Sequence, residues 1–172
     1  YSLTATATDA AGNVSEKSDP LSITIDAPPD APTITTTTLV TNNTTPTMTG
    51  KAEAKSTVKL LNGDVVIGTA TAANNRNFSI TPSAALAEGV YSLRVTATDA
   101  AGNVSEKSVP VSITIDTTAP NAPSDLVATD VSTTTPTITG KAEANSTVKL
   151  LNGDVVIGNA TADSNGNFSI IT

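Results

Sequence analysis

The side chains able to do chemistry in this sequence are almost all oxygen donors. Cys and His are absent, which removes the thiol nucleophile, the imidazole base and the ordinary zinc ligands together. What remains is a scattered set of carboxylates and amides: Asp26, Asp30, Glu53, Asp99 and Asn103, then Asp116 and Glu143. Carboxylates brought together repel one another and are costly to desolvate unless something positive sits among them. Calcium suits such a set, taking roughly six to eight oxygens from carboxylates, amides, backbone carbonyls and water. The competing reading makes them solvated turn residues, because Asp, Asn and Gly favour turns for backbone reasons alone.

Other short motifs point more weakly to chemistry. Residues 163–167, DSNGN, begin like a calcium loop, yet no later Glu follows and the strand residue Phe168 comes next, so they read as a turn. Their counterpart at 73–77, ANNRN, has neither the Asp nor the Gly. In the run DAAGN at 99–103, Asp99 is expected to accept backbone hydrogen bonds, Gly102 to take a positive φ and Asn103 to close the loop. Paired carboxylates carry glycoside hydrolysis only across a defined cleft with one raised-pKa acid, and no pattern here predicts either. The Thr-rich stretch 33–38 suits ice binding, glycosylation or simply the solvated face of a first strand.

The elements that must position these residues are set by a repeat. Residues 1–27 match residues 91–117, and residues 47–62 match residues 137–152, both at an offset of 90 positions without insertion. That period suits an independently cored β domain better than a solenoid repeat. One complete unit spans 28–117, residues 1–27 are the tail of a preceding unit, and residues 118–172 are the front of a following one. Thr172 stands 90 positions after Pro82, so the two fragments lack only the counterpart of Ser83–Val90, eight residues. They are expected to be complementary parts of one fold, joined across neighbouring chains or an intervening loop. The start at Tyr1 is expected to be an internal cut.

Within the complete unit, period-two runs predict seven strands: 33–39, 47–52, 57–61, 65–71, 77–81, 90–98 and 109–115. Asn62-Gly63 is read as the two-residue hairpin loop, pairing Leu60 with Val65 and Val58 with Ile67. Phe78, Ile80, Tyr91, Leu93, Val95 and Ala97 are expected inside, as are Val109, Val111, Ile113 and Ile115. Seven such strands with Pro- and Gly-marked turns argue for an all-β sandwich. In it, loops 52–56, 74–77 and 99–103 share the end at which the incoming linker brings Asp26 and Asp30. Asp26, Asp30, Glu53 and Asp99 are then neighbours, and the second junction offers Asp116 with Glu143.

Composition narrows the function further. Thr, Ala, Val and Ser dominate, with two Tyr and two Phe, so β-branched side chains favour pleated surfaces. A net charge of -7 and the lack of a basic tract disfavour nucleic acid. No stretch reaches transmembrane length and none reads as a signal peptide. Lys17 beside Glu16 and Lys107 beside Glu106 read as exposed charge pairs of little net value. The absence of Cys means that the modules stand without disulfide staples.

The runs TPTITGKAEANSTVKLLNGDVVIG, ATADSNGNFSI, YSLTATATDAAGNVS and SITIDTTAP together resemble tandem bacterial immunoglobulin-like repeats of giant biofilm-associated and type I-secreted adhesins. The resemblance covers nearly the whole chain. It implies seven-stranded immunoglobulin-like modules in an extracellular stalk at the bacterial cell surface, supporting adhesion and biofilm formation. The expected partners are neighbouring repeats of the same chain, and like molecules end to end or on adjacent cells. Some relatives hold calcium at module junctions, and that role would fall on Asp26, Glu53 and Asp99 at one junction and on Asp116 and Glu143 at the next. The first junction reads DAPPDAP where the second reads DTTAPNAP, so the two need not share coordination. The alternative is a glycan- or protein-binding immunoglobulin-like module of a secreted protein, and an enzyme ranks well below both.

Overall fold

The structure is a computed structural model describing all residues from 1 to 172. It is all-β, and it divides into Tyr1–Thr117 and Thr118–Thr172. With no helix in the chain, none is long and apolar enough to cross a membrane.

The first unit opens with a hairpin whose short strands β1 (Ser2–Leu3) and β2 (Leu21–Ser22) pair antiparallel. The complete module follows as β3 (Thr33–Ile34), β4 (Leu39–Thr41), β5 (Met48–Lys51), β6 (Thr57–Asn62), β7 (Val65–Thr71), β8 (Asn77–Ile80), β9 (Gly89–Thr98) and β10 (Val111–Ile115). Two sheets form, β3-β5-β8 and β4-β10-β9-β6-β7. All pairings within them are antiparallel except β4 with β10. Alternation along each strand sends Met48, Val58, Leu60, Phe78, Ile80, Leu93, Val95, Ala97, Val111, Ile113 and Ile115 into one core between the sheets. Tyr91 packs at its margin and donates its hydroxyl to the Ala87 carbonyl.

Three expectations need correction. The run 33–39 is not one strand: β3 joins one sheet and β4 the other. Between them the Thr35 N–H still donates to the Thr49 carbonyl, but the Thr49 N–H goes to the Thr36 hydroxyl at 2.8 Å, so a side chain takes the place of one backbone acceptor where the strand leaves the sheet. The hairpin register is also different. Asn62 faces Val65 across a Gly63-Asp64 turn, with Gly63 at φ +62, and a bulge opposite Leu60 and Leu61 leaves Ile67 unpaired. Val58 therefore faces Ala70, not Ile67. Finally, Val109 is 83% exposed, because β10 starts only at Val111. Pro110 has no N–H to give a ladder and stands at the strand boundary.

The second unit contains β11 (Ser124–Thr129), β12 (Thr137–Lys141), β13 (Thr147–Asn152), β14 (Val155–Thr161) and β15 (Asn167–Ile171). They form the sheets β11-β12-β15 and β13-β14 over a small core of Val148, Ala162, Phe168 and Ile170.

Candidate functional site

The loop from Asp99 to Asn103 is built by its own sequence. The Asn103 N–H reaches Asp99 Oδ1 at 2.8 Å, and its Nδ2 donates to Asp99 Oδ2 at 2.9 Å. Gly102 takes φ +92 and returns its N–H to the Asp99 carbonyl. The Asn103 amide is the main reason the Asp99 carboxyl lies below its ordinary range. All three roles expected for Asp99, Gly102 and Asn103 are present. Asp9, Gly12 and Asn13 build the same loop in the opening hairpin.

The linker meets this loop. Asn103 Nδ2 also lies 3.4 Å from the Asp26 carbonyl, so one amide nitrogen joins the incoming chain to the turn. Asp26 Oδ1 accepts the N–H of Ala27. Glu53 sits in a neighbouring turn, where its carbonyl accepts both the N–H and the hydroxyl of Ser56. That turn is tied to loop 73–77 by the Ala52 N–H on the Arg76 carbonyl and by Arg76 Nε on the Ala52 carbonyl. Asp30 is exposed in the linker. Asp116 follows β10 and donates its N–H to Thr41, whereas Glu143 belongs to the second unit and its carbonyl accepts the Ser146 N–H. No three acidic side chains converge on a common point.

Loop 163–167 behaves as a turn of the same chemistry. Asp163 Oδ1 accepts the N–H groups of Asn165 and Asn167, and Gly166 has φ +78. In the complete module Arg76 occupies the position of Gly166 and still takes φ +69. A surface groove of about 470 Å³ lies beside Pro32, Ile34 and Val109 and is lined by threonines without a titratable group.

Two features carry structure that the sequence reading passed over. Ser105 and Ser108 accept the Ala97 and Val95 N–H groups through their hydroxyls, at 2.9 and 3.0 Å, so they hold segment 104–109 against β9 in place of backbone carbonyls. The spacing of the two serines recurs as Ser15 and Ser18, which was the available signal. Lys107 does not pair with Glu106: its Nζ meets Asp64 Oδ1 at 2.5 Å, across the module. Asp19 stands where Val109 stands in the other copy, and this too marked the position as solvent-facing.

The chain is similar to several known proteins. Exoglucanase B of Cellulomonas fimi is 33% identical over 94% of this chain, which spans 16% of that enzyme. Among solved structures, a tetra-tandem repeat in the extending region of a large adhesion protein matches 99% of this chain and 47% of its own, with 22% identity and a TM-score of 0.43. The BSP domain of a biofilm associated protein matches 81% of this chain and 24% of its own, at 22% identity and a TM-score of 0.31. The family models that match both describe immunoglobulin-like modules, and neither describes an enzyme. With the model for the bacterial Ig-like domain covering residues 32–117, half of the chain, and that for the bacterial Ig domain covering 119–172, the chain belongs to the bacterial Ig-like domain family.

Proposed function

We propose that these modules are spacers in the stalk of an extracellular bacterial surface adhesin, where they hold an adhesive region away from the cell and support biofilm formation. One observation carries this reading: the chain enters and leaves the complete module at opposite ends. Asp26 comes in beside Asn103 in the β9–β10 loop, while Thr117 goes out beside Glu88, just before β9, where its hydroxyl donates to Glu88 Oε2 at 3.0 Å. The ten residues of β9 separate those ends, about 30 Å at roughly 3.3 Å per residue. Each added copy therefore adds length, and Pro28, Pro29 and Pro32 restrict the link.

Calcium at the joint is part of the proposal. Asp99 supplies a carboxylate, Asp26 a backbone carbonyl and Asn103 an amide that offers oxygen when turned over, a donor set that fits a hard cation. Asp30 and Glu53 lie in the adjoining linker and turn, and Asp116 with Glu143 would serve the next joint. The ion would supply a charge cross-link between linker and loop. Small-angle scattering of two or three joined modules, with calcium and with chelator, tests both parts. Maximum dimension should grow in proportion to module number, and chelation should shorten and broaden the distance distribution. Compact particles whose dimension does not grow would refute the spacer, and identical profiles with chelator would refute the ion.

The match to one segment of an exoglucanase favours a second reading, a glycan- or protein-binding module attached to another activity. Binding of a two-module protein to a glycan array would put that reading first.

A further inference from the structure

The parallel pairing in the complete module joins its first and last parts. β4 lies beside β10 with Leu39 opposite Ile113, Val40 opposite Thr114 and Thr41 opposite Ile115. The Asp116 N–H on the Thr41 carbonyl, at 3.0 Å, carries the ladder past the end of β10. Parallel neighbours cannot be joined by a tight turn, and here every strand from β5 to β9 lies between them in the chain. The pair is also seated in the core: Leu39 packs against it, and Ile113 and Ile115 are fully buried.

Its direction matters because of where the chain enters and leaves. Asp26 comes in beside Asn103, and Thr117 goes out beside Glu88 at the other end. β10 runs toward Glu88, since its last residue, Ile115, faces Gly89, and β4 runs the same way. Tension passed through the flanking chain therefore draws β4 back toward Asn103 and β10 forward toward Glu88. The two strands are pulled past each other along their own axes. Their hydrogen bonds lie across that force and share it, so they must fail together, and Leu39 must leave the core in the same step. β3 comes before β4 on this path, but it pairs with β5 over only Thr33↔Lys51 and Ile34↔Gly50, so it gives first.

We infer that the complete module bears tension along the chain, with the β4–β10 pair as its lock. Once β3 has given, load passes from β4 straight to β10, and β5 to β9 stay out of its path while the pair holds. Those sheltered strands carry most of the core, from Met48 to Ala97. The change of sheet between β3 and β4 then has a use, because a first strand that stayed beside β5 would never reach β10. The lock is a property of the module alone, whereas its service in holding a cell against drag rests on the spacer reading.

Stretching the 172-residue chain in optical tweezers tests it. The chain has no Cys, so pairs of introduced thiols set the points of pull. Ala31→Cys with Ala119→Cys loads β4 and β10 along their axes. Asn42→Cys with Ala119→Cys pulls the same pair apart from one end, where its bonds open in turn. All three positions are exposed and lie outside the strands, so both proteins should keep the wild-type urea midpoint and differ only in the direction of force. β4 should part from β10 at severalfold higher force in the first protein, and the module should then lengthen in one step. Equal forces in the two directions would overturn the inference, and so would strands coming away singly in the first protein. Scattering that refuted the spacer would leave either result standing, so the two readings fail separately.

Discussion

Ser108→Ala tests whether side-chain hydroxyls replace the backbone ladder. Ser108 is 2% exposed, and its Oγ accepts the N–H of Val95 at 3.0 Å while donating to the Val109 carbonyl at 3.0 Å. The reciprocal backbone bond, Ser108 N–H to the Val95 carbonyl, survives the substitution. So does the Arg94 Nη1 bond to the Ser108 carbonyl. The loss falls on Val95, a fully buried residue whose N–H is left facing a methyl group. A buried donor without an acceptor costs about 1–3 kcal/mol. Val109 is exposed, so water replaces its donor and adds little. Urea unfolding followed by circular dichroism should therefore show a loss of about 1–3 kcal/mol, and the Val95 amide should exchange faster than its neighbours in hydrogen-exchange NMR. Ser18→Ala is the control, because it removes the same bond, to the N–H of Ala5 at 3.0 Å, from an exposed hairpin. There the change should stay below about 0.5 kcal/mol. An unchanged midpoint for Ser108→Ala together with unchanged Val95 protection would refute the reasoning.

Phe78→Ala removes a nearly buried ring from the core and should cost about 3–5 kcal/mol in the same denaturation assay; a change below about 1 kcal/mol would remove Phe78 from the core assignment. Arg76→Gly releases a left-handed backbone at φ +69. The relief of roughly 1–2 kcal/mol exceeds the roughly 0.5–1 kcal/mol of added chain freedom, so a net gain is expected, and a loss would show that the Arg76 Nε bond to Ala52 dominates. The Asp99 carboxyl is held below its ordinary range first by the Asn103 amide. A depressed carboxyl stabilises the fold above its unfolded value and loses that contribution as pH falls through its folded value. Stability should therefore decline below about pH 4, less steeply in Asp99→Asn, and parallel pH profiles would contradict this.

Much of the fold was legible because it is local. The Asp-Ala-Ala-Gly-Asn loop forms identically around Asp9 in an exposed hairpin and around Asp99 in a complete sandwich. Its hydrogen bonds span four residues, so neighbouring strands have no part in setting them. Strand alternation was equally readable, since the side chain of every second residue must face the same way. The hairpin register escaped because a bulge adds one residue without changing the hydrophobic pattern around it. Among the candidate ligands, the approach of Asp26 to the loop of Asp99 followed from the order of strands, whereas the Asn103 amide that joins them showed only in three dimensions.

The sequence by itself determined the turns, the alternation and the repeat, all of which depend on contacts within a few residues or on counting. Only the tertiary structure decided that the first strand divides between two sheets and that Lys107 meets Asp64. The physical reason is that burial belongs to a pair of surfaces, and the second surface is written elsewhere in the chain.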